Sequence, residues 1–262
     1  MAPSSQIPWQ QPPDVAALAD DEVHVWRVSV TQTRSLVPHL SKLLDAEESK
    51  KAARFHFERD QVRFIVARGG LRLILGRYLK TDPAQIRFSY SPHGKPGLSG
   101  AHSDSVLKFN LAHSHDLALY IFSLTRELGI DVEHMRPEVA GDEIAERFFA
   151  AMEVDALRTF SAERRMEAFF NCWIRKEAYI KARGEGLTFP LGDFVVSMAP
   201  GEPAGLLTVR DAPQEASRWS LQELNAGEGY AAAIAVEGHD WQLKLWEGNS
   251  IVKSTEYADY TD

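Results

Sequence analysis

Cysteine is almost absent: Cys172 stands alone in 262 residues. No intrachain disulfide can form, so a cystine-stapled secreted scaffold is excluded. Long apolar runs are missing too, and none approaches the roughly 18–20 residues a membrane-crossing helix needs. The opening stretch MAPSSQIPWQQPP has neither the basic start nor the apolar core of a secretory leader. A cytoplasmic protein with no membrane partner is expected. Positive charge is also scarce, with 29 Lys and Arg against 37 Asp and Glu, a net charge of −8. General nucleic-acid binders are usually basic, so no nucleic-acid partner is expected. What is present, 44% hydrophobic and 25% charged residues, suits a folded chain. Its length allows one large domain or two of about 130 residues each.

The positive charge is concentrated. Lys50, Lys51, Arg54, Arg59, Arg63, Arg68, Arg72, Arg77, Lys80 and Arg87 meet only Glu58, Asp60 and Asp82, so residues 50–87 carry +7 and the remainder −15. Guanidinium groups match phosphate oxygens in a planar fork, which makes this a candidate phosphate-anchoring region. A solvated helix with scattered charge is the alternative. At about 100° per residue, Lys50, Arg54, Arg68 and Arg72 share one side of a continuous helix, and Arg59, Arg63 and Arg77 the other. A break near Phe57 to Asp60 would change that assignment.

Patterning predicts a loose arm over 1–13 and a strand over 23–30 (VHVWRVSV). Asp45 with Glu48 reads as a capping box opening a helical stretch that runs to about Leu79. A strand at 87–90, the turn-rich SPHGKPG, and strands at 106–111 and 117–124 follow. A second block opens with a strand at 129–133, then helices over 142–160 and 163–182. Strands follow near 193–198, 205–209, 217–224, 230–236 and 241–246, the last two as a hairpin, before a polar tail from 250. The order suggests an α+β chain of two similar halves, 1–124 and 125–262.

Four constellations carry chemistry. In Gly129-Ile130-Asp131-Val132-Glu133, strand alternation points Asp131 and Glu133 one way and the two apolar residues into the core. Paired carboxylates repel unless a cation lies between them, and oxygen ligands favour a hard divalent ion such as Mg²⁺. A solvated acidic edge strand is the plain alternative. In Trp173-Ile174-Arg175-Lys176-Glu177-Ala178-Tyr179-Ile180-Lys181, helical spacing sets Glu177 among Phe170 and Trp173, with Lys181 one turn on. Burial there raises a carboxyl pKa and suits base chemistry, although an ordinary i, i+4 ion pair has the same spacing. Asn110-Leu111-Ala112-His113-Ser114 ends a strand with a histidine able to donate to phosphate. Gly94-Lys95-Pro96 offers a lysine from a loop.

The order Arg-rich helix, G-K-P, N-L-x-H-S, G-x-D-x-E, W-x-x-K-E-x-x-x-K resembles the 4′-phosphopantetheinyl transferase family, of its larger monomeric type, over about residues 23–236. The G-I-D-V-E and W-I-R-K-E-A-Y-I-K segments, about forty residues apart, are its most specific marks. Ala112 departs from it, since many relatives have Ser there. The resemblance implies two α/β subdomains related by a pseudo-twofold, with the active site between them. The first would contact coenzyme A, and the second would carry metal and catalytic residues. It implies Mg²⁺-dependent transfer of phosphopantetheine from coenzyme A to a serine of an apo acyl or peptidyl carrier protein, with release of 3′,5′-ADP. Asp131, Glu133 and Glu177 would hold the metal. Glu177 and Lys181 would be catalytic. Lys51, Arg54, Arg63, Lys95, Pro96, His113, Ser114, Asp131 and Lys181 would contact coenzyme A. Phe148, Phe149, Leu157 and Phe160 would contribute to a carrier groove, or else to helix core. A silent coenzyme A- or carrier-binding module and a Mg²⁺-dependent phosphohydrolase are the competing readings. The intact acidic set speaks against the first, and the second would need an activated water.

Overall fold

A computed structural model describes residues 7–14, 16–138 and 140–253. Alternation in EVHVWRVS makes β1 (Glu22–Ser29), followed by two short helices, α1 (Val30–Thr33) and α2 (Val37–Leu43). The capping box is present: Asp45 Oδ1 accepts from the backbone N–H of Glu48 at 2.9 Å, and Glu48 Oε2 accepts from that of Asp45 at 3.1 Å. It opens α3 (Ala46–Ala53), and the chain breaks at residues 54–57 before α4 (Glu58–Leu79). The hairpin β2 (Arg87–Tyr90) and β3 (Pro96–Ser99) leads to β4 (Lys108–Ser114) and β5 (Leu117–Ser123).

The second half starts at β6 (Leu128–His134). The predicted helix over 142–160 is two helices, α5 (Asp142–Phe148) and α6 (Ala151–Thr159). Glu153 restarts the helix by accepting from the backbone N–H of Ala150 at 2.8 Å. Next come α7 (Ala162–Arg183), β7 (Phe194–Val196), β8 (Leu206–Val209), α8 (Glu215–Arg218), β9 (Trp219–Glu223) and β10 (Tyr230–Glu237). The chain continues through β11 (Gln242–Glu247) to α9 (Asn249–Lys253).

The architecture is mixed α and β. One sheet has the order β11-β1-β5-β4 and the other β6-β10-β9. The β10/β11 hairpin is a misreading. β11 crosses back to pair in parallel with β1, in the register Glu22↔Gln242. There Leu243 and Leu245 join Val23, Val25, Leu119 and Ile121 in a core shared between the sheets, against Ile130, Val132 and Ile234. A hairpin would have forfeited that two-sided burial, which is why the simpler pairing loses. Beyond this shared core, α4 covers the outer face of the first sheet and α7 that of the second.

Both predicted ends are corrected as well. Gln10 donates from its backbone to Leu245 and accepts from Glu247, each at 2.8 Å, so the described part of the arm is pinned along β11. Residues 249–253 are helical, with Ile251 and Val252 in the first core. The rest of the predicted tail lies outside the described residues. Among the described residues no helix is long and apolar enough to cross a membrane.

The contact between α7 and β6 sets the site. A Cβ on Gly129 would sit 2.2 Å from the Ala178 carbonyl oxygen and 2.4 Å from the Ala182 nitrogen. Only a residue without a side chain lets the strand lie this close to the helix. Gly129→Ala is therefore expected to cost more than the about 1–3 kcal/mol of ordinary overpacking, because backbone on both sides must move. Thermal melting should fall by about 5 °C or more; a melting point within a degree of the parent's would contradict the packing.

Candidate active site

A cavity of about 800 Å³ opens between the halves, walled by the break after α3, the start of α4, the β2–β3 loop, β4 and the end of α7. Lys51, Lys95, Pro96, His113, Glu177 and Lys181, all chosen from the sequence, line it. Arg54, Arg63, Ser114, Asp131 and Glu133 do not.

One wall is cationic. The His113 imidazole is pushed down by burial and then by the positive charges of Lys181, Arg63, Lys51 and Arg68. Its ring stays open to the cavity, and the four cations around it favour the neutral imidazole, which keeps one ring N–H able to donate. The helix break creates this cluster: Lys51 from the end of α3 reaches over the Phe64 ring of α4 at 5.4 Å. Arg63 is partly buried and paired with Asp60 at 3.1 Å. Arg54 follows α3, exposed, and stays off the cavity wall.

Arg68 received no role from the sequence, although it faces the cavity. Glu48 Oε1 holds its Nε at 3.1 Å, and its guanidinium donates to the Tyr90 hydroxyl and lies over Phe88. The same Glu48 accepts from the fully buried Arg72 at 2.8 Å, while Arg72 also donates to the Pro83 and Ile86 carbonyls at 3.0 and 2.9 Å. Arg72 is thus a structural cross-link with no free donor face. The i, i+3 capping glutamate was the visible signal, since a buried acid needs a buried base.

Lys95 lines the cavity, and its ammonium donates to the carbonyls of Leu128 and Ala182, both at 3.2 Å, bridging the start of β6 to the end of α7.

The acidic wall follows from strand alternation. Ile130 and Val132 enter the shared core, leaving Asp131 and Glu133 on the side of α7. Lys181 Nζ donates to Asp131 Oδ1 at 2.6 Å, and Asp131 Oδ2 is buried without a partner. Burial raises the Asp131 carboxyl, with Lys181 opposing. Burial and the Asp131 charge raise Glu133, and burial, Asp131 and Glu133 raise Glu177. Burial works to lower Lys181, but Asp131, Glu177 and Glu133 outweigh it and the net shift is upward. Three carboxylates and one ammonium therefore share one electrostatic neighbourhood. Among the described residues no three acidic, His or Cys side chains are already drawn around a common point. Asp131 Oδ1 is engaged by Lys181, and one oxygen of Glu133 accepts from Ser114 Oγ at 2.8 Å, which leaves its other oxygen for a further partner. Lys176 and Arg175 of the same helix segment face away; Lys176 pairs in the core with Glu153 at 2.7 Å.

A small slot of about 120 Å³ lies beside Glu133, walled by Phe169, Phe170 and Trp173. Of the four apolar groove candidates, Phe149 and Leu157 are buried in the second core, and Phe148 and Phe160 pack against it partly buried.

Residues 26–123 match the family model of the 4′-phosphopantetheinyl transferase N-terminal region, and residues 127–235 that of the 4′-phosphopantetheinyl transferase superfamily. The chain is 40% identical over 241 residues to the 4′-phosphopantetheinyl transferase HetI of Nostoc sp., covering 92% of this chain and 98% of that one. The chain belongs to the 4′-phosphopantetheinyl transferase family. The transferase is also 36% identical to a putative 4′-phosphopantetheinyl transferase of Synechocystis sp., over 77% of this chain and 82% of that one. With Sfp of Bacillus subtilis the identity is 28%, over 76% and 84%.

The raised Glu177 carboxyl makes the stability of the transferase depend on pH. A carboxyl whose folded value lies above its ordinary 4.5 is destabilising when ionised. The stability held by the protonated carboxyl is present in full below 4.5 and is lost as pH rises through the folded value, where the penalty for ionisation is complete. Glu177→Gln, which cannot ionise, should melt a few degrees higher than the parent at pH 7.5 without divalent cations. The margin should vanish by about pH 4. Thermal melts at the two pH values check this, and a lower melting point at pH 7.5 would contradict it.

Proposed function

We propose that this enzyme transfers 4′-phosphopantetheine from coenzyme A to a serine of an apo acyl or peptidyl carrier protein, with Mg²⁺, and releases 3′,5′-ADP. The observation that carries the reading is one cavity with cations at one wall and Glu177 and Lys181 at the other, backed by Asp131 and Glu133, whose charges act on both. A nucleotide with several phosphates needs the first, and a diphosphate under attack needs the second.

In this reading Lys51, Arg63, Arg68 and His113 receive the phosphates of the nucleotide end. Arg54 and Lys95 flank them, and Pro96 holds the loop shape beside Lys95. The acidic set fits a hard cation: Asp131 Oδ2 is a buried oxygen with no donor, the Asp131 charge raises both Glu133 and Glu177, and Glu133 raises Glu177 further. Asp131, Glu133 and Glu177 would hold Mg²⁺, and when bound the ion supplies charge that neutralises the diphosphate oxygens. Glu177, poised upward by burial, takes the proton of the carrier serine directly or through a water. The serine oxygen then forms its bond to the phosphorus nearest pantetheine, and the bond from that phosphorus to the bridging oxygen breaks. Lys181 holds its ammonium beside these oxygens and offsets charge on the leaving 3′,5′-ADP.

The pseudo-twofold belongs to the same reading. Each half runs strand, long helix, short hairpin, strand, strand. In each, the last strand of that series pairs antiparallel with both others: β5 with β1 and β4, β10 with β6 and β9. Residues 1–124 then supply the nucleotide contacts and 125–262 the metal and catalytic residues, with β11 and α9 returning to the first sheet. A cytoplasmic monomer with carrier protein as its macromolecular partner completes the proposal.

The test is incubation with coenzyme A, Mg²⁺ and an apo carrier protein, followed by intact-mass measurement. One phosphopantetheine should be gained, a chelator should abolish the gain, and Mg²⁺ should restore it. Release of phosphate without carrier modification would favour the phosphohydrolase. Asp131→Ala and Glu177→Gln should each lower turnover by about 100-fold or more. Lys51→Ala, Arg63→Ala and Arg68→Ala should instead raise the KM for coenzyme A by about 10-fold each with kcat nearly unchanged. A pure kcat effect would remove those residues from the binding role.

A further inference from the structure

β4 and β6 lie side by side at the junction of the two sheets, yet no backbone ladder joins them. Side chains replace it. Asn110 Oδ1, buried, accepts from the backbone N–H of Ile130 at 3.1 Å. Four residues along both strands, Ser114 Oγ accepts from the backbone N–H of His134 at 3.0 Å. The same Ser114 hydroxyl donates its proton to Glu133 Oε2 at 2.8 Å. A hydroxyl has one proton, so with the His134 N–H directed at its lone pair the proton is committed to Glu133. The strand period sets His113 on the opposite face of β4 from Asn110, Ala112 and Ser114; Ser114 stays off the cavity that His113 lines.

We infer that Ser114 is a positioning residue: through a hydroxyl anchored on the His134 backbone, it fixes the Glu133 carboxylate in the orientation from which it holds the divalent cation. The residue read from the sequence as a coenzyme A contact thus serves the acidic wall. This rests on the reading of Asp131, Glu133 and Glu177 as the cation's holders. One oxygen of Glu133 is tied to Ser114, so the other is presented to the ion without a rotamer search. Groups that orient a metal-holding carboxylate typically change metal affinity by about 10–100-fold when removed.

The experiment uses the full chain and Mn²⁺ as the probe, with free Mn²⁺ read by electron paramagnetic resonance in the presence of saturating coenzyme A. Coenzyme A affinity is measured separately, without metal, by calorimetry. Ser114→Ala is expected to weaken Mn²⁺ binding about 10-fold while leaving metal-free coenzyme A affinity unchanged. Ser114→Thr, which keeps the hydroxyl, should restore Mn²⁺ binding to within about threefold of the parent. Wild-type Mn²⁺ affinity in Ser114→Ala, a loss of coenzyme A affinity in its place, or failure of the threonine to rescue would each overturn the inference. Glu133→Gln run alongside separates the two levels. If it too binds Mn²⁺ like the parent, the carboxylate reading of the metal site fails. If it loses Mn²⁺ and Ser114→Ala does not, only the role of Ser114 fails. Should Ser114→Ala not fold, Ser114→Cys, nearly isosteric and a weak donor, is expected to show the same selective loss of Mn²⁺.

Discussion

The site depends on the contact of α7 with β6 across Gly129. The helix backbone lies against the strand backbone with no room for a methyl group. That proximity carries Lys181 to Asp131 and puts Glu177 within the field of two further carboxylates. Lys95 reinforces the junction from the other half by donating to a carbonyl of each partner. The glycine that opens G-I-D-V-E is thus a packing requirement, and the two acidic residues that follow inherit their place from it.

Charge is arranged by the same economy. A chain with net charge −8 presents a cationic cavity wall because its basic residues come from one stretch and fold around His113. Glu48 does two jobs there. Its backbone contact begins α3, and its carboxylate holds Arg68 toward the cavity and Arg72 in the core. A buried acid with two guanidinium partners is costly to break and hence a rigid mount. The acidic wall runs the other way: its carboxylates are crowded and raised, a local destabilisation of the kind found where function asks for charge that the fold alone does not need.

Most of the elements were legible because they obey short-range rules. The capping box at Asp45 and Glu48, the end of α4 near Leu79, and the alternation in residues 129–133 depend on neighbours a few positions away. The raised Glu177 carboxyl was legible too, since helical spacing alone sets it beside Phe170 and Trp173. Errors came where a distant partner decides. β10 and β11 look like a hairpin because only residues 238–241 separate them, but β1 offers burial on both faces. The arm looked loose until β11 gave its backbone a partner.

The sequence by itself determined the chemistry on offer: two carboxylates on one strand face, a glutamate and a lysine one helical turn apart, and a basic stretch able to meet phosphate. These follow from the periods of strand and helix, which need no knowledge of the rest of the chain. Only the tertiary structure decided how each group is used. It turned Arg72 inward and Arg68 outward, committed Lys95 to backbone carbonyls, and moved Ser114 from the cavity to Glu133. The physical reason is that a polar side chain takes whichever partner satisfies it at least loss of hydration, and those partners are brought close only by folding.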